Sequence, residues 1–203
     1  MPRPIDPQRH RARRLQIIDA GLTVFARRGY AGATTAAICR EAGIGSGTFF
    51  HYFPTKLSLV LAILDEGATE SREFFAAHEE HSEPVRVVFD WVRHELRDLS
   101  DPRASGFIAV VSGLVAHEEI SAALAAQDEI NRAGLVACVE SAQESGQIRG
   151  DVTAGRLAEW VMVVVDGFAG RVGSAGAFDV ETEQPLLFET ISTLLTGPGK
   201  DNG

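Results

Sequence analysis

The chain has 203 residues, 45% of them hydrophobic, and a formal net charge of −9. This length fits one domain or two small ones. No stretch approaches the roughly 20 apolar residues of a membrane span, and the amino-terminal residues lack the apolar core of a secretory signal. We therefore expect a cytoplasmic protein with no membrane partner, in which Cys39 and Cys138 are buried, reduced thiols.

Charge is distributed unevenly along the chain. Residues 1–60 contain nine basic and three acidic groups, a net charge of +6, which leaves −15 for the remainder. A basic end on an acidic body indicates a polyanionic partner for that end alone. The alternative is a solvated arginine tail, which would by itself explain the arginines from Arg3 to Arg14.

Two helices are predicted first. Apolar residues at helical spacing indicate a helix from about residues 8–11 to Arg28, where Gly29 provides a left-handed stop. Thr34 and Thr35 offer an N-cap for a short helix over residues 36–42.

Two more helices follow Gly43, which ends the second. Ser46 can cap a third helix that extends through Phe53 and is ended by Pro54. Pro54 can also occupy the first turn of a fourth helix that reaches about residue 81.

The remaining chain predicts five further helices, over residues 84–99, 106–117, 119–145, 153–172 and 184–195. They are separated by Asp101-Pro102 and by glycine-containing turns over 146–151 and 173–179. We find no alternating pattern bounded by hairpin turns, so the predicted fold class is all-α with about nine helices.

The segment GIGSGTFFHYFPTK, residues 43–56, has the layout of a helix-turn-helix. Phe49 and Phe53 are four residues apart, so both can point inward and fix the helix. Small residues follow the turn and allow close approach to a duplex, and His51 and Tyr52 lie on the outer face. Lys56 begins the next helix, where it can contact a phosphate.

Residues 29–64, GYAGATTAAICREAGIGSGTFFHYFPTKLSLVLAIL, resemble the DNA-binding domain of TetR-type (TetR/AcrR) transcriptional regulators. The resemblance covers about residues 11–71 and is specific as a combination of motifs. It implies a three-helix DNA-binding domain over 11–71, with its helix-turn-helix at about 34–53, followed by a helical ligand-binding and dimerisation domain over 72–197.

The resemblance also implies which residues contact DNA. Thr34 or Thr35 matches a phosphate contact, and the major-groove positions are Ser46, Gly47 and Thr48. The positions that match contacts to the DNA backbone are Phe50, Tyr52 and Lys56.

Phe50 departs from the family pattern, which commonly has tyrosine there. Phenylalanine has no hydroxyl to donate, so this contact is lost or Tyr52 replaces it. Ser46 also stands where longer or more polar residues occur, which predicts sparse base readout.

For the C-terminal part, the last two predicted helices form the best dimer interface, with Gly167 and Gly170 permitting close approach. The residues we expect there are Leu157, Val161, Val164, Phe168, Leu187, Ile191 and Leu194. An ordinary core between two helices of one chain is the alternative. A two-fold homodimer would present two reading helices to one palindromic site.

An apolar cavity in the same part would favour a small hydrophobic or aromatic effector. Its predicted lining is Trp91, Phe107, Val110, Val111, Leu114 and Trp160. His94 and His117 could orient a ligand. These expectations describe a repressor that an effector releases from its operator, with no cofactor.

Other function classes are less well supported. Residues 43–48 resemble a dinucleotide loop, but Thr48 takes the third glycine position and a helix precedes the segment instead of a strand. His78 and His81 are three apart, a possible metal pair for a metal-dependent enzyme, yet they do not form H-E-x-x-H. A helical interaction protein that binds no DNA is the remaining alternative.

Overall fold

The computed structural model describes residues 6–79, 83–174 and 178–197, which form α-helices and no β-strand. Within these ranges the helices are α1 Pro7–Gly32, α2 Thr35–Glu41, α3 Ser46–Tyr52, α4 Lys56–Ala77, α5 Pro84–Leu99, α6 Ala104–Leu114, α7 Glu118–Glu144, α8 Ala154–Gly173 and α9 Val180–Thr196. The all-α prediction is confirmed. None of these helices has the length and hydropathy of a membrane-spanning segment.

The described residues divide into two compact units. The first unit comprises those of Met1–Gly67 and Arg103–Leu124, and the second those of Ala68–Pro102 and Ala125–Gly203. We predicted a single boundary near residue 71, whereas this division also assigns α6 and the start of α7 to the first unit. Helices α4 and α7 have residues in both units.

The first unit has a core of buried side chains from α1 to α4, α6 and the start of α7. Its most deeply buried members include Ile17, Phe25, Ile38, Phe49, Leu59 and Ile120. Helix α6 packs closely against α1 at Gly106. A Cβ at this position would lie 2.4 Å from the Ala26 carbonyl oxygen, so the close packing requires glycine. Arg103 reinforces this contact by donating to Asp19 Oδ1 at 2.6 Å and to Thr23 Oγ1 at 3.0 Å.

The second unit has its own core, formed by α5, most of α7, α8 and α9. Its fully buried side chains include Val88, Val92, Leu135, Leu157, Val161 and Ile191. Gly134 is required here, because a Cβ at this position would meet the Phe75 ring at 2.4 Å.

Helix α1 is interrupted where the sequence predicts its end. Gly29 has φ of 64°, and the helix resumes for one turn up to Gly32. Thr34 caps α2 as predicted, its Oγ1 accepting from the Ala37 amide at 3.1 Å. Gly43, with φ of 62°, ends the turn after α2.

Other predicted boundaries need correction. Ser46 is the first residue of α3 and not its cap; the capping position belongs to Gly45, which has no side chain to bond. Pro54 lies in the bend before α4, which begins at Lys56. The fourth helix was predicted to reach residue 81, but it ends at Ala77, and residues 80–82 lie outside the described ranges.

Helix α9 begins earlier than predicted. Asp179 caps it by accepting from the Thr182 amide at 2.9 Å, so Val180 is the first helical residue. We predicted its start at residue 184. Pro185 lies inside the helix, where it removes one backbone hydrogen bond.

Candidate functional site

The helix-turn-helix is held together by buried aromatic side chains and a tight backbone turn. Phe49 and Phe53 are both buried, with ring centroids 6.1 Å apart, as their spacing predicts. In the turn, the Ile44 amide donates to the Cys39 carbonyl at 2.9 Å. The orientation of α3 relative to α2 is therefore fixed by the core.

The opposite face of α3 is exposed. Its residues are Ser46, Gly47, Thr48, Phe50 and His51, all of them exposed, and the exposed fraction of Phe50 is 51%. At the start of α2, Thr34 is exposed and Thr35 is half-buried. The structure thus brings the predicted major-groove residues together on one surface.

Tyr52 is half-buried against a residue that the sequence did not single out. The His10 ring, near the start of α1, lies 4.6 Å from the Tyr52 ring and 6.2 Å from that of His51, measured between centroids. No local pattern links a residue in the first turns of α1 to the end of α3, so only the fold reveals this contact.

Lys56 occupies a different environment from the one expected. Its Nζ donates to the Tyr30 carbonyl oxygen at 2.5 Å and lies 4.2 Å from the centroid of the Tyr30 ring. Burial of Tyr30 raises the pKa of its phenol. An ammonium group has three donors, so Lys56 stabilises the end of α1 and retains donors for a phosphate.

Two polar side chains of α1 attach it to neighbouring helices. Gln16 Nε2 donates to the Ala42 carbonyl oxygen at 2.7 Å, next to the turn of the helix-turn-helix. Arg14 pairs with Glu66 of α4, and its Cζ lies 5.9 Å from the centroid of the Phe53 ring. Arg14 therefore acts as a structural residue, although the sequence places it within a basic tail.

The predicted effector residues are distributed over both units. Trp91 is buried in the second core, while Val110 and Leu114 are buried in the first, with Phe107 and Val111 half-buried against them. Trp160 has an exposed fraction of 52%. His94 is half-buried and His117 is exposed.

The predicted dimer residues also pack within the chain. Those buried in the second core are Leu157, Val161, Phe168, Leu187 and Ile191, with Val164 and Leu194 half-buried against it. The same two helices expose three other large apolar side chains: Trp160 and Val163 on α8 and Leu186 on α9. The residues predicted for the dimer interface therefore belong to the core of a single chain, which is the alternative given in the sequence analysis.

The second unit contains a cavity of about 350 Å³. It is lined by α4, α5 and α7, with Phe75, His78, Val87, Gly134, Cys138 and Ser141 among its walls. The His78 ring is held by a 2.7 Å contact from Nδ1 to the Phe74 carbonyl oxygen. Burial raises the pKa of the Cys138 thiol.

Two buried polar atoms of the second unit have no hydrogen-bond partner among the described residues, Trp91 Nε1 and Asn131 Oδ1. Trp91 follows the cavity residue Val87 by four positions on α5, and Asn131 precedes Gly134 by three on α7. Each therefore lies one helical turn beyond a wall residue, on the same helix face. A buried unpaired donor and a buried unpaired acceptor each lower stability.

Acidic side chains are concentrated in the same unit. Burial, with the nearby charges of Asp98 and Asp166, raises the pKa of Glu95 to about 7. Partial desolvation likewise raises the pKa of Asp98, Asp128 and Asp166, although all three residues are exposed. These carboxyl groups disfavour additional negative charge at the surface of this unit.

Glu70, His94 and Asp98 each bring one potential ligand atom to within 4.8 Å of the others. The Arg97 guanidinium contacts His94 Nδ1, which places a cation beside this group. Of the metal pair considered from sequence, His81 lies outside the described residues.

Comparison with known proteins identifies the family. Residues 17–63 match the family described as bacterial regulatory proteins, tetR family, and this match spans the helix-turn-helix. This part of the chain is a TetR-type DNA-binding domain. Regulators of this type are DNA-binding proteins and not enzymes, and their helix-turn-helix corresponds to α2 and α3 of this regulator.

Similar proteins extend the match beyond the DNA-binding helices. The HTH-type transcriptional repressor AcnR of Corynebacterium diphtheriae is 27% identical over 88% of this chain and 91% of its own length. The HTH-type transcriptional regulator PksA of Bacillus subtilis is 37% identical over 34% of each chain. A TetR transcription regulator from Haloarcula marismortui shares the fold, with a TM-score of 0.78, 22% identity and coverage of 91% and 96% of the two chains.

Proposed function

We propose that this regulator is a repressor that binds a palindromic operator as a homodimer in the cytoplasm and is released by a small-molecule effector. One observation supports this function above the others. The outer face of α3 exposes small and aromatic side chains on a helix that buried Phe49 and Phe53 hold rigidly. Such a surface fits the major groove of DNA.

In the proposed complex, Ser46, Gly47 and Thr48 face the base edges. Thr34 and Thr35 contact phosphates at the start of α2, and Lys56 contacts a phosphate with its remaining donors. Tyr52, supported by the His10 ring, supplies the hydroxyl that Phe50 lacks.

The proposed effector site is the cavity lined by Phe75, Val87 and Gly134. Its walls are largely apolar, and its volume of about 350 Å³ falls within the range of small-molecule sites. Trp91 and Asn131 are not wall residues, but each lies one helical turn from one. A ligand that extends from the cavity toward them would need an apolar body and a neutral polar end that both accepts and donates.

The proposed dimer interface is the exposed apolar side of α8 and α9. Trp160, Val163 and Leu186 are large side chains that their own unit leaves exposed. A second copy of the chain fits this surface because a two-fold axis would bring identical apolar residues together.

Effector binding can reach the reading helices through α4 and α7, which are continuous across both units. Helix α4 carries Lys56 at its start and Phe75 near its end, and α7 carries Ile120 of the first core and Gly134 of the cavity wall. An effector that binds one dimer arrangement better by about 1–3 kcal/mol would give a useful response.

The experiment for DNA binding is a gel shift with fragments from the regulator's own upstream region at two salt concentrations. We expect affinity to fall steeply with salt. The variant Thr48→Ala/Lys56→Gln should lower affinity at least roughly tenfold and reduce the salt slope by about 1. The control Ser112→Ala/Arg72→Gln changes an exposed serine and an exposed arginine elsewhere and should match the native chain.

The experiment for the effector is a thermal-shift screen of amphipathic alcohols and amides, followed by gel shifts with the compounds that bind. Asn131→Leu replaces the unpaired acceptor with an apolar group of similar size. It should stabilise the free protein by about 1 kcal/mol and weaken the response to any compound that binds the native chain. Native-like binding by Asn131→Leu would contradict the proposed site.

A further inference from the structure

The exposed face of α3 lacks the side chains that read most bases directly. Its residues are Ser46, Gly47, Thr48, Phe50 and His51, which include no carboxylate, carboxamide, guanidinium or ammonium group. Arginine or lysine reads guanine, asparagine or glutamine reads adenine, and glutamate or aspartate accepts from cytosine. Helix α3 therefore cannot make these contacts.

One base feature in the major groove needs no polar partner, the C5-methyl group of thymine. Phenylalanine and the methyl group of threonine both form apolar contacts with it. Phe50 and Thr48 are the exposed residues of α3 that provide such groups.

The core keeps the Phe50 ring outside. Phe49 is fully buried and its ring meets that of Phe50 edge to face, with centroids 5.3 Å apart and an interplanar angle of 88°. The space next to Phe50 on the core side is thus already filled, and the ring remains 51% exposed.

Neither steric crowding nor a positive φ requires glycine at the positions around these residues. A Cβ at Gly45 or Gly47 would meet nothing within 4 Å, and neither residue has a positive φ. Glycine within a helix is destabilising relative to alanine, so Gly47 weakens α3 without relieving any contact in the chain. Because Gly47 has no side chain, the surface beside Phe50 and Thr48 is open, and a duplex can approach it closely.

We propose that α3 recognises its operator chiefly through thymine methyl groups, one packed on the Phe50 ring and one on the Thr48 methyl in each half-site. This inference rests on the proposed function, because it requires α3 to lie in the major groove. It assigns Phe50 to a base contact, whereas the family resemblance implies a contact to the DNA backbone at that position.

The test begins with an operator isolated by selection from genomic fragments and mapped by footprinting. Each thymine is then replaced by deoxyuridine, which removes only the methyl group, and affinities are measured at fixed salt. For the native chain we expect at least one symmetric pair of thymines whose replacement weakens binding about fourfold per half-site and about 15-fold for both.

Variants assign the methyl contacts to side chains. Phe50→Ala should abolish the effect of deoxyuridine at one thymine pair, and Thr48→Ser, which keeps the hydroxyl, should abolish it at another. Phe50→Tyr is the matched control, because it keeps the ring and should keep the sensitivity.

Two results would overturn the inference while leaving the proposed function intact. The first is that the affinity of the native chain for the operator changes less than twofold whichever thymine is replaced by deoxyuridine. The second is a Phe50→Ala variant with unaltered deoxyuridine sensitivity. Failure to retain any fragment in the initial selection would instead reject the proposed function, and the inference with it.

Discussion

The two units of this regulator differ in whether their buried polar atoms have partners. In the first unit, Thr23 is buried and bonded to Arg103, and Gln16 and Lys56 satisfy backbone carbonyls of neighbouring segments. In the second, Trp91 and Asn131 retain unpaired atoms and Glu95 has a strongly raised pKa. The polar groups named in the first unit are therefore all paired, whereas the second unit retains two buried polar atoms that have no partner among the described residues.

The two units also differ in their exposed apolar side chains. In the first unit, exposed Phe50 belongs to a helix whose other residues suit DNA. In the second, exposed Trp160, Val163 and Leu186 are apolar side chains of the last two helices, the region where we predicted the dimer. The comparison can be tested by changing one feature of each unit at a time.

The largest effect is expected from Trp160→Glu. A charged residue in the proposed interface should abolish the dimer, and losing the second reading helix should lower operator affinity roughly 100-fold or more. Sedimentation equilibrium and gel shifts measure the two effects. Val115→Glu is the control, because Val115 is equally exposed, at 55% against 52%, but belongs to the first unit. A Trp160→Glu variant that remains dimeric would contradict the interface.

The next effect concerns Glu95 and pH. Its pKa in the folded chain is about 7, above the usual 4.5, so the folded state holds a proton that the unfolded state releases. Stability should therefore decrease as the pH rises from about 4.5 to 7, by up to about 3 kcal/mol, and then remain level. Glu95→Gln should remove most of this decrease, which denaturant unfolding at pH 5 and pH 8 can measure. An unchanged difference between the two pH values would exclude Glu95 as its source.

The smallest effect separates two glycines of the helix-turn-helix. Gly43 has φ of 62°, so Gly43→Ala should cost about 1 kcal/mol of stability. Gly47 is helical with open space around it, so Gly47→Ala should be neutral or stabilising and should weaken operator binding. Thermal unfolding and gel shifts distinguish these outcomes. Equal operator affinity for Gly47→Ala and the native chain would show that DNA does not approach closely there.

Much of the fold could be predicted from local patterns. Helix α5 has the predicted bounds, Pro84–Leu99, because a proline begins it and an apolar stripe continues to its end. Some predicted helix boundaries differ from those in the structure. Ser46 was predicted to be a cap although Gly45 takes that position, and α9 was predicted to start at residue 184 although Asp179 caps it earlier.

The site could be predicted only in part. Helical spacing predicted that Phe49 and Phe53 point inward and that His51 and Tyr52 lie on the outer face; His51 is exposed, whereas Tyr52 is half-buried. The partners of its supporting residues could not be predicted, because His10 and Tyr52 are 42 positions apart in the chain. Periodicity also does not reveal whether an apolar face packs against its own chain or a second one, which is why the predicted dimer residues prove to be core residues.

The sequence by itself determined the helical fold class and the helix-turn-helix, because these depend on spacings of three to seven residues and on glycine and proline at turns. Tertiary structure decided which apolar residues remain exposed, which polar atoms remain unpaired and where Lys56 donates. Those properties depend on contacts between helices distant in the chain, and local spacing carries no information about them.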